Sequence, residues 1–448
     1  MCVDDFSQEL AMPVVMKSVM GSVAGRLILA VLALAACKGS SSSDGLMPDG
    51  PTPDGSIPSD ACTAGQSTPC AMLGGSWAGG SATCRDGGAW DISACTLASP
   101  GMFEEVKPAE REPDRFADAR CNDGTAFDFR VRLAPHPSPI WVVYLEGGFY
   151  CDDYSSPCST RPDNLKSTNP GTDASLANGD NQGLFNPSAT VNPDFDDKNE
   201  VYAHYCSSDF WAGATTSRLP STGDPTNGWY FSGHINVDAM IAILIERYGL
   251  DDSSPALRVL LTGSSAGAFG AHFNEARTGA AIPNAAAAGR LMLLVDAGWM
   301  TDWDDPMHRM GTATTPDADV WHRARAFWGA TFDPDCEAAA SDPSTCFMAP
   351  SWYPFVSARV PTLIQQCRFD QSFTSAHHLA STDASAASWQ SEVTTSLATV
   401  PWLFSGSTPS YHTLLGSDAG FATGPTGSTL EEVLDRFWNG GAPERVLF

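Results

Sequence analysis

The sequence predicts an α/β fold built on a doubly wound, mainly parallel sheet. From residue 111 to residue 448, short apolar runs alternate with segments of helical periodicity, and this length supports one large domain. The apolar runs lack polar alternation, which is typical of parallel strands covered on both faces. These runs lie at residues 140–145, 198–205, 257–261, 291–295 and 360–365. Helices are predicted at 236–248, from an apolar stripe, and at 429–438, from an acidic first turn.

The N-terminal part is predicted to be an export signal followed by a tether. Residues 1–37 hold a short apolar core that ends in Leu34-Ala-Ala-Cys37, which resembles a bacterial lipobox with Cys37 as the lipidated residue. Translation from Met16 instead of Met1 is an alternative, as is ordinary signal cleavage beside a chance cysteine. Residues 38–61 are rich in Gly, Ser, Pro and Asp, which predicts a disordered linker.

A small cysteine-rich module is predicted at residues 62–96, with a linker at 97–110 before the catalytic domain at 111–448. Two disulfides would stabilise a piece too small to build a core. A zinc site is disfavoured because the module has no C-x-x-C motif and no histidine. Carbohydrate contact and simple spacing both remain open as its role. Its cysteines are Cys62, Cys70, Cys84 and Cys95.

The segment around Ser265 carries the strongest catalytic signal. An apolar strand ends in Gly263-Ser-Ser-Ala-Gly267, which fits G-x-S-x-G with Ser265 at its centre, and a helical segment follows. Strand, sharp glycine turn and helix form the context of a nucleophile elbow, which predicts an α/β-hydrolase-like domain. The alternative is a loop whose small residues serve close packing.

A serine nucleophile needs a base and an acid that orients the base, and α/β hydrolases carry them in the order Ser, Asp or Glu, His. His412 lies in a late, turn-rich loop, and Asp370 follows the run at 360–365. We therefore predict Ser265 as nucleophile, Asp370 as orienting acid and His412 as base. The rivals are Asp296 for the acid and His377 or His378 for the base. A packed or surface histidine is the alternative for each imidazole, and a loop turn or helix cap is the alternative for Asp370.

Several segments together resemble the pectin acetylesterase/Notum family of carbohydrate and lipid-ester hydrolases. The resemblance implies an α/β-hydrolase-like fold, a serine esterase activity and an acid at Asp370. Two departures concern the pocket, namely Phe149 where the family often has Trp, and Ala268-Phe269-Gly270 after the elbow. The matching segments are Tyr144-Leu-Glu-Gly-Gly-Phe-Tyr-Cys151, Tyr205-Cys-Ser-Ser-Asp-Phe-Trp-Ala-Gly213, Phe231-Ser-Gly233, Gly263-Ser-Ser-Ala-Gly267 and Asp296-Ala-Gly-Trp299.

The same segments supply candidates for the rest of the site. An oxyanion needs unhindered backbone N–H groups, which we expect from Gly147, Gly148 and Ala266; the alternative for the two glycines is a plain turn. The expected substrate pocket consists of the aromatic residues Phe149, Tyr150, Trp211 and Trp299.

Charge and cysteine content limit the partners. A formal net charge of −27 makes nucleic acid and anionic membrane surfaces poor partners and disfavours bare, polyanionic pectin. Thirteen cysteines in an exported chain predict disulfides. Beyond the module, the expected pairs are Cys121–Cys206, Cys151–Cys158 and Cys336–Cys346, which leaves Cys367 as a buried thiol.

These observations predict an exported, lipid-anchored serine carboxylester hydrolase that removes O-acetyl groups from a polysaccharide. Deacylation of a lipid-modified protein or of a small ester is the first alternative, and a catalytically silent carbohydrate-binding protein is the second. Neither a cofactor nor a metal is expected. The expected partner is the ester substrate alone, with no nucleic acid and with membrane contact only through the lipid. A monomer is the default, because the sequence carries no signal of assembly.

Overall fold

The computed structural model describes residues 62–70, 77–85, 90–91, 94–97, 102–168, 183–222, 224–406, 411–425 and 427–448. The predicted signal segment 1–37 with Cys37, the alternative start at Met16 and the predicted linker 38–61 lie outside the described residues. Within the described residues, no helix is both long and apolar enough to cross a membrane.

A nine-stranded sheet forms the centre of the described chain. In chain order the strands are β1 (Ser67–Pro69), β2 (Trp77–Gly79), β3 (Ser81–Cys84), β4 (Trp90–Asp91), β5 (Thr96–Leu97), β6 (Glu104–Val106), β7 (Phe129–Arg132), β8 (Ile140–Leu145), β9 (Asn199–Ala203), β10 (Leu219–Ser221), β11 (Asp224–Trp229), β12 (Arg258–Ser264), β13 (Leu291–Asp296), β14 (Thr362–Gln365), β15 (Leu403–Ser405) and β16 (Arg445–Leu447). The central order is β16-β15-β14-β13-β12-β8-β9-β7-β6. All pairs from β16 to β9 are parallel, whereas β7 and β6 pair antiparallel at one edge.

Both faces of the sheet are buried, as the unbroken apolar runs predicted. Neighbouring residues of one strand point to opposite faces. Val143 and Leu261 belong to one hydrophobic cluster. Val142 and Leu260, one residue earlier on the same strands, belong to a second. Two cores therefore sandwich the sheet, which confirms the predicted doubly wound α/β architecture.

Helices and loops cover these two faces. The predicted helix at 236–248 begins three residues earlier, and the predicted C-terminal helix has Thr429 as its N-cap in a capping box with Glu432. The α-helices are α1 (Pro108–Arg111), α2 (Pro113–Phe116), α3 (Gly233–Arg247), α4 (Ala266–Phe273), α5 (Glu275–Ala281), α6 (Pro283–Ala287), α7 (Asp317–Trp328), α8 (Pro334–Ala339), α9 (Ala349–Arg359), α10 (Gln371–Ala376), α11 (Ala386–Ser396), α12 (Asp418–Phe421) and α13 (Leu430–Trp438).

The segment 97–110 is not merely the linker that the sequence predicted. Its residues 104–106 form β6, which pairs antiparallel with β7, and Val106 is fully buried. Arg111 on α1 forms an ion pair with Glu104 on β6. A strand of three residues is too short to show a period of two, so no sequence pattern indicated that this segment belongs to the sheet.

The cysteine-rich module consists of two small antiparallel sheets, β1-β3-β4 and β2-β5. Its two disulfides join Cys62 to Cys84 and Cys70 to Cys95. Arg85 forms ion pairs with Asp91 of the module and with Asp251 of the large domain. The module therefore has its own disulfide framework and a charged contact with the catalytic part of the chain.

Candidate active site

Ser265 stands in a strained turn between β12 and α4. Its φ of 57° and ψ of −122° lie in a region that a non-glycine residue rarely adopts. A Cβ on Gly263 would lie 2.3 Å from the carbonyl oxygen of Gly267, and a Cβ on Gly267 would lie 1.8 Å from that of Leu145. Only glycine fits at these two positions. The main chain of the elbow therefore packs directly against the end of β8, and Ser265 is left partly exposed.

Asp370 and His412 are hydrogen-bonded to each other. The Nδ1 atom of His412 lies 2.7 Å and 2.8 Å from the two carboxylate oxygens of Asp370. Asp370 follows β14 and caps α10, where it accepts hydrogen bonds from the N–H groups of Ser372 and Phe373. The helix-capping role, which was the alternative for Asp370, is thus present together with the histidine contact. Oδ1 accepts the capping N–H groups, and the ring Nδ1 lies close to both carboxylate oxygens.

The surroundings of His412 favour its protonated form. Burial by itself lowers the pKa of the imidazole, but the charge of Asp370 and the hydrogen bond to it, with a contribution from Asp296, raise the pKa above the ordinary 6.5. Only Nδ1 is used by Asp370, so the ring is oriented through one nitrogen while Nε2 stays available for proton transfer.

The glycines after β8 lie against the elbow. A Cβ on Gly147 would meet the Ser264 carbonyl oxygen at 2.5 Å and the Ser265 Cβ at 3.0 Å. Gly148 has a φ of 143°, which side chains disfavour. Ala266 is the first residue of α4, where N–H groups have no partner within the helix. Of the three residues expected to bind an oxyanion, Gly147 therefore lies against Ser265 and Ala266 follows it directly, while Gly148 continues the loop after β8.

Two supports of this glycine loop were not predicted. Arg161 is buried and donates from Nη1 to the Gly148 carbonyl oxygen at 2.6 Å and from Nε to Ser208 Oγ at 2.9 Å. His204 Nδ1 lies 2.9 Å from the Glu146 carboxylate, which raises the pKa of His204 to about 9 although burial by itself would lower it. In each of these two contacts the partners are distant in sequence, so no short motif could have predicted the pair.

Three of the four aromatic residues expected to line the pocket are core residues instead. Tyr150, Trp211 and Trp299 are at most 2% exposed. Trp211 packs beside Tyr205 and donates from Nε1 to the Glu146 carbonyl oxygen, so it supports the glycine loop from behind. Phe149 differs because it is 38% exposed and has a φ of 63°. It is therefore the member of this group that offers surface to a substrate.

The remaining histidine and acid candidates lie in other contacts. His377 is buried and faces Asp317 at 3.2 Å, and His378 Nε2 lies 2.7 Å from the Gly311 carbonyl oxygen. Asp296 accepts hydrogen bonds from the N–H groups of Leu414 and Leu415, whereas the hydrogen bond of the His412 ring goes to Asp370. Among the acids considered, Asp370 is thus the one whose carboxylate is hydrogen-bonded to the imidazole of His412.

The cysteine pairs expected for the large domain are present in the structure. Cys121–Cys206 joins the chain before β7 to the end of β9, Cys151–Cys158 closes the loop after the glycines, and Cys336–Cys346 closes a loop near α8. Cys367 is buried, and burial raises the pKa of its thiol to about 11. In the part of the chain that the structure describes, no group of three or more His, Cys, Asp or Glu is placed to hold a metal ion.

Comparison with known proteins gives one family. The family model described as Pectinacetylesterase matches residues 112–399, well over half of the chain. The palmitoleoyl-protein carboxylesterase Notum of Drosophila melanogaster is 30% identical over 257 residues, which cover 56% of this chain and 36% of that protein. The human palmitoleoyl-protein carboxylesterase Notum is 27% identical over 257 residues, covering 56% of this chain and 49% of that protein. The chain thus spans half or less of the length of these relatives.

A solved structure of the Wnt deacylase Notum from Drosophila has the same fold. It aligns with a TM-score of 0.65 at 24% identity, covering 77% of this chain and 96% of the other. The family match contains Ser265 and Asp370 but ends before His412. The position of His412 is therefore supported by its contact with Asp370 and not by the family match.

Proposed function

The chain belongs to the pectinacetylesterase family, and from that membership we propose that it is a serine carboxylester hydrolase that removes O-acetyl groups from a polysaccharide. The family consists of hydrolytic esterases. The hydrogen bond between Asp370 and His412, formed beside the strained elbow of Ser265, is the observation that carries the proposal. Parallel strands β12 and β14 end at the same edge of the sheet, so residues that follow them meet there.

The proposed reaction has two steps. Ser265 Oγ attacks the ester carbonyl carbon while His412 Nε2 takes the hydroxyl proton, and the tetrahedral intermediate collapses when the sugar oxygen leaves with that proton. Water then attacks the acyl-enzyme, again with His412 as base, and acetate and free Ser265 result. Asp370 orients the ring and stabilises its cationic form.

The developing oxyanion needs donors that are already in place. The backbone N–H groups of Gly147, Gly148 and Ala266 would supply them, with the glycine loop held by Arg161 and by the Glu146–His204 pair. Because these donors belong to fixed backbone, they cost little reorganisation when the charge appears.

The test is hydrolysis of p-nitrophenyl esters from two to sixteen carbons and acetate release from acetylated polysaccharides. Ser265→Ala should lower kcat/KM by at least about 10³-fold, because it removes the nucleophile. Ser391→Ala, an exposed serine on α11, is the matched control and should keep full activity. Unchanged hydrolysis by Ser265→Ala would contradict the mechanism.

Deacylation of a lipid-modified protein or a small ester is the second candidate. The similarity to palmitoleoyl-protein carboxylesterases of Drosophila and human favours protein deacylation. The two candidates differ in the length of the acyl chain. A preference for two carbons supports O-acetyl removal, whereas a preference for long chains supports protein deacylation. If neither the wild-type protein nor Ser265→Ala hydrolyses any of these esters, the third candidate is favoured, namely a surface carbohydrate-binding protein.

We further propose that the protein is exported and held at the cell envelope through lipid on Cys37. Labelled palmitate should enter the wild-type protein in bacterial cells and should not enter Cys37→Ala. Secretion of unlabelled wild-type protein into the medium would favour ordinary signal cleavage.

A further inference from the structure

Asp296 contacts the elbow through both its main chain and its side chain. It ends β13, beside β12, and is fully buried. Its carbonyl oxygen accepts a hydrogen bond from the Ser265 N–H at 2.8 Å. Its carboxylate accepts a second from Ser264 Oγ. Asp296 thus binds both Ser265 and the residue before it, Ser264.

The same carboxylate holds the loop that carries His412. The Leu414 N–H lies 3.1 Å and 3.2 Å from its two oxygens, and the Leu415 N–H lies 3.2 Å from one of them. These donors come two and three residues after His412. The loop has no strand or helix in its described residues between β15 and α12, so this anchor is a main restraint on its position.

We propose that Asp296 is a positioning residue that holds Ser265 and His412 in register with each other. The inference rests on the proposed function of these two residues. Asp370 orients the imidazole ring, whereas Asp296 fixes the backbone on which the ring and the hydroxyl stand. A shift of about 1 Å between nucleophile and base can cost about 10²-fold in rate, so such a clamp is relevant to catalysis.

The charge of Asp296 also acts on the base. Burial raises the pKa of Asp296 to about 6, against the hydrogen bonds from Ser264, Leu414 and Leu415 and the nearby charge of His412. The titratable groups that face it are Tyr144 on β8 and His412, and burial keeps Tyr144 neutral by raising its pKa. Above pH 6 the carboxylate is therefore ionised and contributes to the raised pKa of His412.

The test is Asp296→Asn in the full chain, assayed with p-nitrophenyl acetate from pH 5 to 9. We expect kcat to fall about 10- to 100-fold with KM within about threefold, because only one amide oxygen remains to accept from Ser264, Leu414 and Leu415, and the NH₂ that replaces the other carboxylate oxygen is a donor. The acidic limb of kcat/KM should also move to lower pH, since His412 loses a neighbouring negative charge.

Asp333→Asn is the matched control. Asp333 is equally buried, accepts hydrogen bonds from the N–H groups of Asp335 and Cys336 at the start of α8 and forms an ion pair with Arg359. Loss of its charge should lower Tm but leave kcat and the acidic limb unchanged. An equal loss of kcat in this control would assign the effect to buried carboxylates in general and overturn the inference.

Ser264→Ala covers the case in which Asp296→Asn does not fold. This variant removes the hydrogen bond from Ser264 to Asp296 but leaves the buried charge unchanged. We expect kcat to fall about three- to tenfold, whereas the acidic limb of the pH profile should not move. Two outcomes would overturn the positioning role. In the first, Asp296→Asn folds and keeps the wild-type kcat and the wild-type acidic limb. In the second, Asp296→Asn does not fold and Ser264→Ala keeps the wild-type kcat. Retained hydrolysis by Ser265→Ala would instead remove the proposed function, and this inference with it.

Discussion

At the scale of single residues, the backbone at Gly147 sets how closely the glycine loop approaches Ser265. A methyl group there would lie 2.5 Å from the Ser264 carbonyl oxygen, so the end of β12 must move. We predict that Gly147→Ala lowers kcat/KM on p-nitrophenyl acetate by about 10²-fold or more, because the oxyanion donors and the nucleophile separate.

Gly279→Ala is the control for this change. Gly279 lies in α5, and its new methyl group would meet neighbours at 3.5 Å, which is ordinary contact. It should keep full activity and raise the free energy of unfolding by up to about 1 kcal/mol, since alanine favours helix. Equal activities of the two variants would show that the glycine loop takes no part in the reaction.

The titration of His412 gives a second residue-scale prediction. The imidazole must be neutral to accept the serine proton, and Asp370 raises its pKa above 6.5 despite burial. We therefore expect kcat/KM to fall as the pH drops through an apparent pKa above 6.5. In Asp370→Asn the limb should move to lower pH and the rate should drop about 10³- to 10⁴-fold. If the acidic limb of kcat/KM does not move in Asp370→Asn, the limb reports the titration of a group other than His412.

Chain order and local context were enough to pair Asp370 with His412, which are hydrogen-bonded in the structure, and Ser265 stays a prediction as their partner. Burial could not be predicted for aromatic residues that follow strand ends. Trp211 and Phe149 both come soon after a strand, yet Trp211 packs inside against Tyr205 while Phe149 is exposed. The difference arises from contacts over more than 60 residues of sequence, such as the bond from Trp211 to Glu146.

At the scale of elements, disulfides close loops of very different length. Cys121–Cys206 spans 85 residues and Cys336–Cys346 spans 10. In the loop-entropy model, these closures stabilise by about 4.5 and about 2.7 kcal/mol. We predict that the Cys121→Ala, Cys206→Ala double variant loses more stability in urea unfolding than the Cys336→Ala, Cys346→Ala variant. The reverse order would mean that native strain or denatured-state structure dominates.

Strands in the middle of the sheet were predictable, and those at or next to its edges were not. The strands β8, β12 and β13 are six or seven residues long, and each holds an apolar run long enough to recognise. β15 and β16 have three residues each, and β7 alternates Phe, Arg, Val and Arg beside the edge strand β6. Such short or alternating pieces become strands because a neighbouring strand offers them hydrogen bonds, which is tertiary information.

At the scale of the whole molecule, the boundary of the folding unit lies before the matched family region. The family match begins at residue 112, but β6 completes the sheet from residues 104–106 and covers the edge of β7. A chain cut at 112 would expose unpaired backbone of β7 and uncover the contacts of the buried Val106. Exposed strand edges promote aggregation.

We therefore predict different outcomes for two truncated chains. A chain of residues 102–448 should fold and hydrolyse p-nitrophenyl acetate with kcat/KM within about twofold of the full chain. A chain of residues 112–448 should aggregate or melt at least about 5 °C lower, because it lacks β6 and the Arg111–Glu104 pair. Size-exclusion chromatography and thermal melts would measure both. Equal stability of the two chains would mean that β6 contributes nothing to the stability of the sheet. Inactivity of the chain 102–448 would mean that the large domain needs the cysteine-rich module, which contacts Asp251 through Arg85.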